Sequence, residues 1–171
     1  MEAKRPPATF TFESPPHILI IEARFYSHIA DMQLEGVKSA LTAVGASSEI
    51  ITVPGALEIP AAIAFTLKAM GFDPNRRRAD GYIALGCVIK GGTSHDQIVA
   101  FESARGLQEL AISHALAIGN GILTCNTLEE AEERADSSRL NRGREAAEAC
   151  LRMIELKHHL RLSPKRRWAA K

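Results

Sequence analysis

This chain has no C-x-x-C pair; its three cysteines, Cys87, Cys125 and Cys150, are scattered and odd in number. That spacing indicates neither a zinc cluster nor a disulfide framework. All three sit in apolar patterns, where a buried thiol is the ordinary outcome. No apolar run is long enough to span a bilayer, and residues 1–10 lack the apolar core of a signal peptide. A reducing cytoplasm is the expected compartment, with no membrane partner. Charge of one sign is missing too: the formal net charge is +1. A dedicated nucleic-acid binder needs an excess of cations over phosphates, so that class is excluded. Basic residues gather only at Arg76-Arg77-Arg78 and Lys165-Arg166-Arg167, which read as a solvated loop and a tail. There is no internal repeat.

What is present is an ordinary globular composition, 46% hydrophobic and 24% charged over 171 residues, enough for one domain with a real core. Residues 1–16 hold four prolines and read as an extended arm; 17–160 read as the domain; 161–171 read as a basic tail. Short β-branched apolar runs at 17–23, 49–53, 81–88 and 121–125 predict strands. Between them lie helical patterns. Ile29, Met32, Gly36, Val37, Ala40, Leu41 and Val44 form one stripe, with Gly45 as its stop. Residues 59–70 form a second helix, with Pro60 in its first turn and Gly71 beyond its end. Ile98, Phe101, Ala104, Leu107 and Ala111 line one face of a third. Thr127-Leu128-Glu129-Glu130 reads as a capping box opening a short acidic helix. After a polar break at 136–141, Ala147, Cys150, Leu151 and Ile154 give the last helix its stripe. Strands alternating with helices predict βαβ units and a parallel sheet covered on both faces. Ligands of such sheets bind outside the carboxyl ends of the strands.

The chemically suggestive segments fall at those ends. Gly91-Gly92-Thr93-Ser94-His95-Asp96 follows the third strand and opens a helix. Backbone N–H groups freed by glycines at a helix start make an anion site, although the spacing is not that of a P-loop. The glycines fit equally a tight turn that needs positive φ. His95, one of six histidines, is either a proton-transfer group or a helix-start residue serving its own backbone. Asp96 is either a dipole-matched opener or an orienting carboxylate. Pro54-Gly55-Ala56-Leu57-Glu58 follows the second strand; Glu58 either accepts from ligand hydroxyls or simply opens the helix. Phe25 follows the first strand and either stacks on a flat ring or joins the core. Arg134 closes the acidic helix, either as an intrahelical ion pair or as a phosphate clamp. His158 and His159 read as solvated cations near a helix end, and His17, His28 and His114 carry no signal.

Taken together, these segments resemble the lumazine synthase family, which makes 6,7-dimethyl-8-ribityllumazine in the penultimate step of riboflavin synthesis. The matching pieces are Arg24-Phe25, the run from Val53 to Pro60, the run from Leu85 to Asp96, Gly121-Ile122-Leu123-Thr124, and Glu133-Arg134-Ala135 with Asn141-Arg142-Gly143, in family order. The resemblance implies an α/β fold, a flavodoxin-like three-layer αβα sandwich with a central four-stranded parallel sheet. It implies homo-oligomers built on pentamers, with active sites at subunit interfaces. It implies two small-molecule substrates, 5-amino-6-(D-ribitylamino)uracil and (2S)-2-hydroxy-3-oxobutyl phosphate.

Carried over residue by residue, Phe25 would stack on the pyrimidine, while Ala56, Leu57 and Glu58 would hold the ribityl chain. Cys87, Val88 and Ile89 would offer backbone hydrogen bonds to the uracil edge. Gly92 and Thr93 would bind the phosphate, with Arg134 from the other side, and His95 would donate protons. The reaction involves no redox change and no metal, so no cofactor is expected. The sequence departs from the family pattern at Asn120, where an interface phenylalanine is common, and at Tyr26, where asparagine is common. The break at 136–141 lacks the Gly-rich turn of members that close into sixty-subunit shells, which favours a pentamer over a decamer or shell. The Asn120 exchange motivates an alternative, a non-catalytic flavin- or lumazine-binding module of the same fold.

Overall fold

A computed structural model describes residues 6–73 and 77–162. The elements alternate: β1 (His17–Ala23), α1 (Ser27–Ala43), β2 (Ser47–Val53), α2 (Glu58–Phe72), β3 (Gly81–Ile89), α3 (His95–Ser113), β4 (Ile118–Cys125), α4 (Leu128–Ala135) and α5 (Arg142–His159). The strands form one parallel 4-stranded sheet in the order β2-β1-β3-β4. This is the flavodoxin-like arrangement expected of a doubly wound α/β domain.

The layers follow from strand alternation. Ile18 and Ile20 of β1 and Ile83 and Leu85 of β3 point to one face, where they meet Val37 and Leu41 of α1 and Ala147, Cys150, Leu151 and Ile154 of α5. Leu19, Ile21, Tyr82 and Ala84 point to the other, against Ile59 and Ile63 of α2 and Leu107 of α3. Ile18, Ile20, Ile83 and Leu151 are fully buried; such side chains each contribute about 1.5–3 kcal/mol. A third, smaller cluster closes the carboxyl end of the sheet, joining Ile29 of α1, Leu123 and Cys125 of β4, and Ala131 and Ala135 of α4.

Several boundaries differ from the sequence expectation, each for a physical reason. β4 starts at Ile118 rather than Gly121, because its glycines weaken the strand signal. Those glycines are there because α5 and β3 crowd them: a Cβ at Gly119 would fall on the Ala146 carbonyl of α5, and one at Gly121 would meet Ala146 Cβ at 3.1 Å and Leu85 Cδ2 of β3 at 2.9 Å. β2 starts at Ser47, where its backbone N–H bonds to Pro16 O at 3.1 Å in register with β1. α2 passes through Gly71 and ends at Phe72. Gly45, by contrast, does stop α1, at φ 67°. The stripe expected on α3 is displaced: Ser103 and Leu107 are its buried residues, while Ile98 and Phe101 are 55% and 72% exposed.

Residues 6–16 form no helix or strand. Phe10 and Phe12 nonetheless pack on the first core cluster. Arg152 of α5 lies 4.7 Å over the Phe10 ring, and Phe12 meets His158 edge-on at 6.1 Å. His158 is therefore exposed but not merely solvated. Arg76, Lys165, Arg166 and Arg167 lie outside the described residues, as does most of the 161–171 segment.

Candidate active site

β1 lies at the point where the sheet's winding reverses, with β2 on one side and β3 on the other. The loops leaving β1, β2 and β3 therefore open into one crevice at the carboxyl ends of the strands. β3 reaches furthest into it. Its ladder with β1 ends at Glu22↔Leu85, whereas its ladder with β4 continues to Ile89↔Cys125. Cys87, Val88 and Ile89 thus have a ladder neighbour on one side only, and their other backbone edge faces the crevice.

The corner after β3 contains Gly91, Gly92 and Thr93, all exposed. The tight-turn explanation for its glycines fails. Among the described residues the glycine with positive φ is Gly45. Close packing fails too, since nothing lies within 4 Å of a Cβ placed at Gly91 or at Gly92. The corner is open to whatever approaches its backbone. α3 starts immediately after it at His95, and its N-cap Ser94 makes no side-chain capping bond. α1 and α2 likewise start without a side-chain cap, whereas α4 and α5 are capped by Thr127 and Asn141. At the head of α3 Gln97 N donates back to Ser94 O at 3.1 Å, and the positive end of the helix opens at the corner. Thr93 Oγ1 accepts from the His95 backbone N–H at 3.4 Å, and the His95 ring is exposed beside it.

The second loop carries Gly55, Ala56, Leu57 and Glu58. Ala56 is buried, Leu57 is partly exposed and Glu58 is exposed as the first residue of α2. A Cβ on Gly55 would meet Glu58 Oε2 at 2.9 Å, so the carboxylate folds back over the loop that the glycine leaves bare. On the first loop, Phe25 is 76% exposed and meets Tyr26 edge-on at 5.0 Å. The core alternative for Phe25 is not realised; Tyr26 is the ring that packs inward, against the third cluster.

Arg134 stands on the last turn of α4. Its Nη1 donates to Glu130 O at 3.1 Å, and its charge opposes the effect of burial on Cys125 at the end of β4. Asn120, midway along the edge strand β4, is exposed. Its Oδ1 accepts from Ile122 N at 2.9 Å, so the side chain caps the strand's own free edge. No thiol is poised as a nucleophile: burial pushes Cys87 and Cys150 up to about 12 and raises Cys125. Among the described residues no three His, Cys, Asp or Glu side chains gather as a metal would require.

Sequence reasoning missed several buried polar groups, His17 and Glu22 among them. His17 lies at the amino end of the sheet, with Nδ1 3.0 Å from Ser47 Oγ and Nε2 3.4 Å from Glu49 Oε1. Burial, then the charge of Arg77, holds it below its ordinary value. Glu22 lies at the carboxyl end of β1, and its one local signal is a charge inside an apolar run.

A protein-family model for 6,7-dimethyl-8-ribityllumazine synthase matches residues 15–158. The chain belongs to that family. It is 56% identical over 146 residues to 6,7-dimethyl-8-ribityllumazine synthase 1 of Rhizobium meliloti (strain 1021), covering 85% of this chain and 94% of the relative. It is 54% identical over 147 residues to the 6,7-dimethyl-8-ribityllumazine synthase of Agrobacterium fabrum (strain C58 / ATCC 33970), covering 86% and 98%. The Afipia carboxidovorans synthase is 52% identical over 143 residues, covering 84% and 86%. The chain is an enzyme of riboflavin biosynthesis, a transferase that condenses 5-amino-6-(D-ribitylamino)uracil with (2S)-2-hydroxy-3-oxobutyl phosphate to 6,7-dimethyl-8-ribityllumazine, releasing phosphate and water. The non-catalytic binding module is not favoured. No helix among the described residues is long and apolar enough to cross a membrane.

Proposed function

We propose that lumazine formation takes place in this crevice, with the glycine corner as its phosphate site. The observation that carries the reading is that Gly91 and Gly92 have no conformational or packing reason to be glycine within the subunit, yet precede an uncapped helix start. Backbone N–H groups of Gly92 and Thr93 and the head of α3 hold the phosphate, and Arg134 adds a guanidinium to it. The open backbone edge of Cys87, Val88 and Ile89 pairs with the uracil edge. Phe25 covers the ring, and Ala56, Leu57 and Glu58 receive the ribityl hydroxyls.

The chemistry then needs little more than proximity and proton transfer. The pyrimidine amine adds to the ketone, water leaves to give an imine, phosphate is eliminated, and the ribitylamino nitrogen closes the ring on the carbonyl so formed with loss of a second water. His95 stands two residues after Thr93 of the phosphate site and supplies and removes protons for these steps. Holding two substrates face to face makes the first addition effectively unimolecular.

The same reading extends to assembly. Phe65 and Phe72 on α2 are 69% and 88% exposed, and Ile98, Phe101 and Ile112 on α3 are 55%, 72% and 79% exposed. An apolar face of that extent marks an interface, and a homo-oligomer, a pentamer in the first instance, covers it. A neighbouring subunit then presents Arg134 and Asn120 to the crevice of its partner. With Asn120 engaged by its own strand, it offers hydrogen bonding rather than an aromatic face to the ring. The domain runs over 17–160 and works in the cytoplasm.

The decisive experiment mixes the two substrates with the purified chain and follows lumazine absorbance. No acceleration over the protein-free mixture eliminates the reading. Sedimentation velocity on Phe101→Glu tests assembly: the variant is expected to dissociate and lose activity, and an active monomer refutes site sharing.

A further inference from the structure

We infer that Glu22 and Arg24 form a brace that positions Phe25 and thereby sets affinity for the ring-bearing substrate; this rests on the stacking role given to Phe25 above. The Glu22 side chain is only 5% exposed, and a carboxylate buried at a strand end is costly unless fully partnered. Its partners are specific. Oε1 accepts from Arg24 Nη1 at 3.2 Å and from Thr52 Oγ1 at 3.1 Å, and Oε2 accepts from the same Nη1 at 3.3 Å. Thr52 is the register partner of Glu22 on β2. The other arm of the guanidinium crosses the loop: Nη2 donates to Asp31 Oδ1 at 2.5 Å and to Ser27 O at 3.4 Å, both on α1.

One planar side chain thus ties β1, β2 and the first turns of α1 together, across the two residues that carry Phe25 and Tyr26. Lysine offers one point charge and cannot span both sides of that loop. Tyr26 anchors the far side of the exposed ring by packing into the third cluster. Phe25 is 76% exposed and meets the Tyr26 ring edge-on, so its direction depends chiefly on the backbone on which it stands. An aromatic fixed beforehand loses less freedom when a ring stacks on it.

The test is steady-state kinetics on the full-length assembled protein, varying each substrate at saturation of the other, with sedimentation velocity on every variant. Phe25→Ala is expected to raise KM for the ribitylaminouracil by about 2- to 10-fold, the range of one aromatic stack. Arg24→Ala is expected to raise the same KM by no more than that. KM for the phosphorylated substrate and kcat should stay within about twofold. Arg24→Ala added to Phe25→Ala is expected to change nothing further, because the brace acts only through the ring. Arg24→Lys should restore part of the loss, and Glu22→Gln, which keeps an acceptor, should show a smaller one.

If Phe25→Ala leaves the ring KM unchanged, the stacking role is wrong and the brace falls with it. If Phe25→Ala has its effect and Arg24→Ala has none, the stacking role stands and the brace alone is refuted. The brace is also refuted if Arg24→Ala has its full effect in the Phe25→Ala background, or if it disturbs both substrates or kcat equally. Should Arg24→Ala fail to assemble, Glu22→Gln decides by the same criteria.

Discussion

Gly92→Ala separates a structural glycine from a ligand-binding one. Gly92 lacks positive φ, and no atom lies within 4 Å of the added methyl. Within the subunit, therefore, alanine is accepted without strain and narrows the unfolded ensemble. The expected gain is about 0.4–1 kcal/mol, or a rise of about 1–4 °C in Tm for a chain of this size. Function should move the other way. If a phosphate oxygen is held against the backbone N–H of this corner, a methyl group there pushes it off. Losing one hydrogen bond to a charged group costs about 1.5–3 kcal/mol, which is about 10- to 150-fold in KM for the phosphorylated substrate. The assay titrates (2S)-2-hydroxy-3-oxobutyl phosphate at saturating ribitylaminouracil and follows lumazine absorbance, with inorganic phosphate as a competing ligand. Gly71→Ala in α2 is the control: nothing lies within 4 Å of its Cβ either, but it sits at the carboxyl end of the helix whose amino end, Glu58, is at the crevice. It should gain about 0.5–1 kcal/mol with no kinetic change. If Gly92→Ala leaves the phosphate-substrate KM within about twofold of the parent, the corner is not the oxyanion site and the proposed mechanism loses its anchor.

Other perturbations probe the remaining links. His95→Ala should lower kcat by about 10²- to 10⁴-fold while inorganic phosphate still inhibits at its parental concentration; equal losses in both would make His95 a binding group. Arg134→Ala should raise KM for the phosphorylated substrate by about tenfold or more, and unchanged kinetic constants would remove it from the site. Gly119→Ala should lower Tm through about 1–3 kcal/mol of overpacking, because its methyl falls on the Ala146 carbonyl; an unchanged melting curve would contradict the α5–β4 contact. Burial and Arg77 hold folded His17 below its unfolded value of 6.5. Between the two values the unfolded chain binds more protons, so stability is full above about pH 6.5 and falls as pH drops through that window. Urea unfolding of the parent and His17→Asn at about pH 7 and about pH 5 should show a smaller loss in the variant, and equal losses would assign the acid sensitivity elsewhere.

The sequence was legible where the determining interaction was local. β1 and β3 are apolar runs buried on both sides, so periodicity and composition find them. Thr127 and Glu130 are close in sequence, and the capping box forms with Thr127 Oγ1 accepting from Glu130 N at 3.3 Å. Its return arm reaches one residue further than expected, to Asn126 N at 2.9 Å. Legibility failed where the cause came from another element. Gly119 and Gly121 look like breakers until α5 is laid on them. Ile98 and Phe101 look like an inward stripe, because an apolar helical face does not say whether its cover is the same chain or another copy. Glu22 looks like a stray charge until Thr52 and Arg24 are brought to it.

The crevice combines both kinds of signal. Its residue types could be picked out because the loops after β1, β2 and β3 each carry something unusual for a turn: an exposed phenylalanine, a glycine facing a carboxylate, and a glycine pair before a histidine. What could not be read was why each is unusual. For the glycine pair, sequence left a strained turn and a ligand approach equally open. Backbone angles rule out the first, and empty space around the absent Cβ atoms rules out internal packing. A residue chosen for a partner that the folded subunit does not contain should look unnecessary in the subunit alone. Gly91, Gly92 and the ring of Phe25 all have that character, and they converge on the one end of the sheet where the winding reverses. Glu22 and Arg24 are the reverse case: the carboxylate is buried and both are bonded to polar groups of β1, β2 and α1. For that reason they are assigned to positioning and not to contact with the substrate.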